Sequence, residues 1–258
     1  MPQARSTLRT VVDWITTIPT LVAFGLTLVV GDVVLRVSRL FGEKAIERSA
    51  GFMQRVLLWS FKFSGMRLKI ERDPGIERRR GYIFVSNHQS LIDIPIFGGV
   101  LFSNHPKYIA KAELAKWIPM VSYNLRRGGN AVIDRANRAQ AVQVIRDFGR
   151  HCQERGVSAV IFPEGTRSRD GGLKSFRSGG TAALLEAAPD LEIVPTTIDG
   201  SWHLLTHRML PIPFGTEVRI RFGEPMARQV GERVSDVLED VRTTISGTLD
   251  QWRAEPAI

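Results

Sequence analysis

His88 and Asp93 stand five positions apart in "FVSNHQSLIDIP" (84–95), an imidazole and a carboxylate of the kind that together make a general base. A carboxylate on one ring nitrogen holds the proton there and leaves the other nitrogen free to accept one. The spacing alone denies the pair a common face. On a helix the two side chains point about 140° apart, at roughly 100° per residue. On a strand an odd offset puts them on opposite sides. They meet only if the chain changes conformation between them. The apolar run "YIFVSN" (82–87) ends just before His88, Ser90 is a residue type suited to a helix N-cap, and "LIDIPIF" would begin a helix. A strand end, a turn and a first helical turn would fold Asp93 back onto His88. In isolation, the same pattern is more often a structural histidine near a capping aspartate.

A second polar cluster, "FPEGTRS" (162–168), also follows an apolar run. Arg167 offers a planar fork suited to phosphate or carboxylate, and Gly165 lets the backbone approach a ligand closely. Taken alone, Glu164 and Arg167 could equally be a surface ion pair on a turn. Two further basic stretches, "RRGGNAVIDR" (126–135) with Arg126, Arg127 and Arg135, and "GGLKSFRSGG" (171–180) with Lys174 and Arg177, are solvated faces or parts of an anion site with Arg167. The chain has no G-x-S-x-G elbow, P-loop or G-x-G-x-x-G. His105, His151, His203 and His207 lack zinc spacing, so no metal is expected. A His–Asp pair without a protein nucleophile implies that a hydroxyl of the substrate attacks.

The elements that must position these residues read as alternating strands and helices. "MRLKIER" (66–72), "YIFVSN", "VSAVIFP" (157–163), "EIVPTTI" (192–198) and "EVRIRFG" (217–223) are short runs bounded by turn residues. Helical stretches lie at 137–153, 177–188 and 230–252. The last carries Val230, Val234, Val237, Val241, Ile245, Leu249 and Trp252 as a core stripe. The expected fold class is α/β, a mixed, mostly parallel sheet flanked by helices.

Two segments precede that pattern. Residues 14–31 carry no charge, though Pro19 and four threonines weaken a membrane span. Residues 43–65 are amphipathic and carry Trp59, a residue type favoured at bilayer interfaces. They read either as core helices or as a hairpin dipping into one leaflet, and their basic flanks favour the second. The division is therefore 1–65, a membrane-associating helical segment, and 66–258, an α/β domain. The net charge of +9 calls for anionic partners. No helix-turn-helix, RNA-binding or zinc-finger signature accompanies it, so nucleic acid is not expected. The single cysteine, Cys152, forms no intrachain disulfide and reads as a core residue.

Four motifs in order resemble the glycerolipid acyltransferase family, most closely its bacterial 1-acylglycerol-3-phosphate acyltransferase branch. N-H-x4-D matches Asn87, His88 and Asp93. The second motif matches "KAEL" (111–114), Pro119 and the run from Gly129 to Arg135. F-P-E-G-T-R-S matches 162–168 without departure. The fourth matches Val194 and Pro195, and the follow-on of the third appears as Phe176, Arg177 and Gly179. One departure is "PMVSYNLRRGG", where Ser122 and Tyr123 replace a small glycine-containing patch. The resemblance implies that His88 is a general base oriented by Asp93, and that Glu164, Gly165, Thr166, Arg167, Lys111 and Arg135 bind the phosphorylated acceptor. It implies acyl transfer from acyl-CoA or an acyl-carrier protein to a lysophospholipid, giving phosphatidic acid, at an anionic membrane surface on the cytoplasmic face, with no cofactor. Glycerol 3-phosphate, a lyso-ornithine lipid or another lysolipid remain alternative acceptors. A non-catalytic lipid-binding protein is the alternative outside enzymes.

Overall fold

The computed structural model describes residues 7–228 and 232–255. Its centre is a seven-stranded sheet in the order β1-β7-β6-β2-β5-β3-β4. The strands are β1 (Arg67–Arg72), β2 (Ile83–Ser86), β3 (Lys107–Lys111), β4 (Ala131–Ile133), β5 (Ala159–Ile161), β6 (Ile193–Asp199) and β7 (Glu217–Phe222). Every pairing is parallel except β6 with β7. Parallel neighbours need long crossovers, usually helical, which is why helices cover both faces. The helices are α1 (Thr7–Arg39), α2 (Glu43–Ser60), α3 (Asp93–Val100), α4 (Val121–Arg127), α5 (Arg138–Arg155), α6 (Ser178–Ala187) and α7 (Val234–Ala254).

Alternation along the strands divides the core. Ile83 and Val85 of β2, with Ala159, Ile161 and Ile193, pack against α5, α6 and α7. Phe84, Val160, Val194 and Val218 face the other way, toward α2 and α3. Central β2 is buried along its whole length, as a strand covered on both faces must be. Edge strand β1 is instead highly charged, and its Glu71 pairs with Arg221 at 2.5 Å.

Helix α5 begins and ends where its residue types dictate. Asn137 caps it by accepting the Gln140 N–H at 3.1 Å, and Gly156 closes it in the left-handed region. The expected α7 stripe is buried from Val237 to Trp252, while Val230 lies outside the described residues. Two strands escaped the sequence pattern. Three-residue β4 is the edge strand and β3, with a lysine at each end, lies beside it; both are too short or too polar for a clear alternation signal. Helix α3 also starts later than the Ser90 cap implies. The Ser90 N–H bonds to Asp93 at 2.8 Å and its Oγ accepts the Ile92 N–H at 3.2 Å, so residues 88–92 form a turn.

Helix α1 is long and apolar enough to cross a bilayer by length and composition. Its sides are inverted relative to a soluble core helix. The side facing the protein carries Asp13, Thr17, Thr20, Thr27 and Gly31, with Leu35, while Ile15, Ile18, Val22, Leu26, Val29 and Val33 are exposed. Asp13 accepts the Phe214 N–H at 2.7 Å, Thr17 accepts the Ile212 N–H at 2.8 Å, and Asp32 accepts the Met120 N–H at 2.9 Å. The polar stripe thus answers backbone donors of two loops that follow β6 and β3. Helix α2 packs on α1 and α3, and its N-terminal turn is tied to the sheet by the buried Glu47–Lys107 pair at 3.1 Å.

Candidate active site

Strand β2 runs parallel to β5 and β6, with Val85 opposite Ile161 and Ser86 opposite Thr196. Their carboxyl ends therefore share one edge, the usual ligand site of an open parallel sheet. His88 leaves that edge from β2, "FPEGTRS" from β5, and Gly200–Ser201 from β6. Asn87 locks the exit of β2: its side chain donates to the Ile198 carbonyl and accepts the Ile198 N–H, both at 2.8 Å.

The turn at 88–92 brings His88 Nδ1 to 2.7 Å from Asp93 Oδ2. That same oxygen accepts the backbone N–H groups of Gln89 and Ser90, each at 2.8 Å, and Oδ1 accepts the Ser201 hydroxyl at 2.6 Å. Four donors converge on a fully buried carboxylate, which compensates its desolvation. With Nδ1 donating to Asp93, Nε2 is the free nitrogen. The ring lies flat on Phe162, with centroids 4.0 Å apart and planes at 19°. Its side chain keeps 17% of its surface exposed, enough to meet a substrate.

Glu164 lies beneath this pair and turns inward. Its Oε1 accepts the His88 N–H at 2.9 Å and its Oε2 the Lys174 N–H at 3.3 Å. Burial pushes its carboxyl up to about 7, against the opposing pull of those two amides. Gly165 adopts a positive φ of 70°, and a Cβ there would meet the Arg177 side chain at 3.4 Å. Thr166 and Arg167 are exposed on the outer side of the turn, and Lys174 Nζ bonds to the Arg167 carbonyl at 2.8 Å. The Ser168 N–H closes back on the His88 carbonyl at 2.7 Å.

Lys111 is exposed at the carboxyl end of β3, opposite Ile133, and Arg135 follows two residues later. Partial desolvation, then the positive charge of Arg177, hold the Arg135 guanidinium below its ordinary pKa. The structure thus links Arg135 to Arg177, and Arg177 to Gly165. It puts Arg126 and Arg127 elsewhere, along an open groove with Ala112, Ala115 and Lys116. Ser122 and Tyr123 turn toward other partners: Ser122 Oγ bonds to the Ile118 carbonyl at 2.5 Å, and Arg36 lies 4.8 Å over the Tyr123 ring.

Sequence reasoning missed five residues around the candidate site. Ser201, 108 positions from Asp93, has only its place just after a buried strand to signal it. Phe162 lies inside the 162–168 motif, whose sequence carries no signal of its stacking on His88. Gln89 donates to Asp199 at 3.1 Å, and Arg253 of α7 holds that same carboxylate at 2.9 and 3.0 Å. Burial works against the Asp199 charge, but the bonds from Arg253 and Gln89 outweigh it and keep its pKa low. Cys152 is buried in the α5–α6 core, as expected, and burial pushes its thiol up to about 12. No group of three or more metal-ligating side chains occurs among the described residues.

A sequence model of the family described as Acyltransferase matches residues 67–199, just over half of the chain. A 1-acyl-sn-glycerol-3-phosphate acyltransferase of Limnanthes douglasii is 33% identical over 161 residues, covering 61% of this chain and 54% of that protein. The enzyme of the same description from Escherichia coli K12 is 29% identical over 134 residues, covering 52% and 53%. The chain therefore spans about half the length of the curated relatives it matches. Among solved structures, the crystal structure of the 1-acyl-sn-glycerophosphate (LPA) acyltransferase PlsC from Thermotoga maritima superposes with a TM-score of 0.73. It does so at 24% identity, covering 97% of this chain and all of that one, and it shares the fold.

Proposed function

The chain belongs to the Acyltransferase family, and from that premise we propose that it moves a fatty acyl group from an acyl thioester to the free hydroxyl of 1-acylglycerol-3-phosphate. The product is phosphatidic acid. One observation carries the chemistry: the 2.7 Å contact between His88 Nδ1 and a fully buried Asp93, at the carboxyl edge of the sheet. His88 Nε2 takes the proton of the acceptor hydroxyl as its oxygen attacks the thioester carbonyl. The C–S bond breaks as the tetrahedral intermediate collapses, and the leaving sulfur collects the proton from the ring. Asp93 keeps the ring oriented and offsets its positive charge between those two transfers. Such general-base assistance contributes roughly 10²- to 10⁴-fold.

Recognition falls to the basic outer side of the site. Arg167 presents a bidentate fork to the acceptor phosphate, with Lys111 and Arg135 as further cationic contacts and Gly165–Thr166 as backbone lining. Glu164 supports them from beneath by fixing the backbone of His88 and Lys174. The donor is acyl-CoA or an acyl-carrier protein, which places the site on the cytoplasmic face.

Residues 1–65 act as the membrane-associating segment of the 66–258 catalytic domain, with the apolar side of α1 in lipid. Asp13 and Asp32 of α1 are bonded to loops of the same domain, and their separation along the helix is about 28 Å at roughly 1.5 Å per residue. A spanning helix would carry one of those loops across the hydrocarbon, which favours a helix lying within one leaflet.

The test is mass spectrometry of products formed by purified protein from mixed acyl-CoA donors and a panel of acceptors including glycerol 3-phosphate, lysophosphatidate and lyso-ornithine lipid. Diacyl phosphatidic acid as the main product, lost in a folded His88→Ala variant, is the expected result. Turnover by that variant would remove His88 from the mechanism, and absence of turnover on every acceptor would favour a lipid-binding role.

A further inference from the structure

We propose that the 114–127 region of the α/β domain is a second membrane contact, separate from α1 and α2, in which Trp117 enters an anionic bilayer and Lys116, Arg126 and Arg127 meet its headgroups. Trp117 is 94% exposed, the most exposed of the large apolar side chains among the described residues, and Leu114 nearby is 44% exposed. An indole held in water forgoes a large apolar gain, and tryptophan is the residue type that settles at the bilayer interface.

The backbone presents that side chain deliberately. Trp117 has a φ of 60°, and the Ile118 N–H bonds to the Lys116 carbonyl at 2.8 Å across it. Met120 repeats the device, with a φ of 60° and a bond from the Val121 N–H to the Pro119 carbonyl. Two γ-turns of this strained hand, both on bulky residues, persist only where the surroundings enforce them. Here the enforcement comes from α1: Asp32 accepts the Met120 N–H, and Met120 packs so closely on Gly31 that a Cβ there would fall 2.5 Å from its sulfur.

Charge selects the bilayer as occupant. Lys116, Arg126 and Arg127 are exposed along one groove, and none forms an ion pair among the described residues. Arg126 is fixed by a bond to the Ala115 carbonyl. An acidic carrier protein would also suit the charges. The anchoring of the loop on the helix whose far side is apolar favours lipid instead, because a helix with its exposed side in lipid holds the loop near the same bilayer. The inference rests on the membrane reading of α1 and not on the acyl-transfer reaction.

The test uses the full chain with Trp117→Cys, labelled with an environment-sensitive thiol fluorophore. The only native cysteine, Cys152, is buried and does not compete. Glu239→Cys on α7, which covers the opposite face of the sheet, is the control. On phosphatidylcholine vesicles carrying about one-third phosphatidylglycerol, the 117 probe should shift to the blue and be quenched by nitroxide lipids, while the 239 probe stays as in buffer. Vesicle partitioning should fall about tenfold or more in Trp117→Ala and about fivefold for the single charge removed by Lys116→Gln or by Arg127→Gln, with circular dichroism unchanged. Co-sedimenting protein whose 117 probe still reports water would overturn the proposal. So would a shift that appears only when acidic acyl-carrier protein is added, which would reassign the surface to a protein partner. Neither readout requires turnover, so failure here is distinct from failure of the proposed reaction.

Discussion

Replacing Asp93 by asparagine isolates the charge of the carboxylate from its geometry. Oδ2 accepts three donors, His88 Nδ1–H and the backbone N–H groups of Gln89 and Ser90. An amide NH₂ in that position would face two immovable N–H groups, so the asparagine oxygen must take it. The His88 tautomer is then preserved. The NH₂ falls where Oδ1 stood, opposite Ser201, whose hydroxyl can turn from donor to acceptor. The variant should fold, with a stability change within about 2 kcal/mol, because neutral bonds replace charge-assisted ones while a buried charge disappears. What is lost is the counter-charge of the imidazolium. At an effective dielectric of about 20 and roughly 4 Å between charge centres, that is about 4 kcal/mol, or about 10³-fold in kcat/KM. Thiol release from acyl-CoA in the presence of lysophosphatidate measures it, and buried Cys152 adds little background. A folded variant retaining more than a tenth of wild-type kcat/KM would refute the electrostatic role of Asp93. A variant that fails to fold would refute the argument that the two backbone amides orient the amide group.

Ser201→Ala removes a 2.6 Å bond to a charged acceptor and should lower kcat about tenfold or more with little change in KM; Ser201→Thr should restore part of it, and a change confined to KM would place Ser201 in binding instead. Glu164, with its pKa raised to about 7, binds more protons in the folded than in the unfolded state between about pH 4.5 and 7. Its contribution is therefore complete below about pH 4.5 and lost as pH rises through 7, worth about 3 kcal/mol. Urea unfolding across that range should show this component flattened in Glu164→Gln, and an unchanged slope would count against it. Arg167→Lys exchanges a bidentate fork for a point charge; the KM for lysophosphatidate should rise about tenfold with the thioester KM unchanged, and unaltered acceptor kinetics would reject the phosphate role.

The residues proposed to do chemistry are legible in the sequence because chemistry fixes their type and their neighbourhood. His88, Asp93 and the 162–168 turn each follow a strand whose apolar pattern survives in the sequence. Their supports were not legible, because support is supplied by whatever the fold brings near. Ser201 reaches Asp93 from 108 positions away, and β3 and β4 declare themselves only through their pairing with neighbours. Glu164 shows the same limit in reverse. Its type and place suit an outward ligand, yet both of its oxygens answer backbone amides inside the fold.

Helix α1 shows how a signal can be visible and its meaning still depend on packing. The threonines and Pro19 between 14 and 31 count against a membrane span when only composition is weighed. Placed on the helix, Asp13, Thr17, Thr20, Thr27 and Gly31 fall on one stripe, and that stripe meets the protein. Polar residues in an apolar helix thus weaken burial in lipid on every side while strengthening burial on one. They do so by satisfying the Ile212, Phe214 and Met120 amides, which an all-apolar helix would leave without acceptors. Those amides belong to the loops that follow β6, which leads to Ser201, and β3, which ends at Lys111. Whatever α1 rests on, these bonds fix its attitude to the edge of the sheet from which His88 and Asp93 emerge.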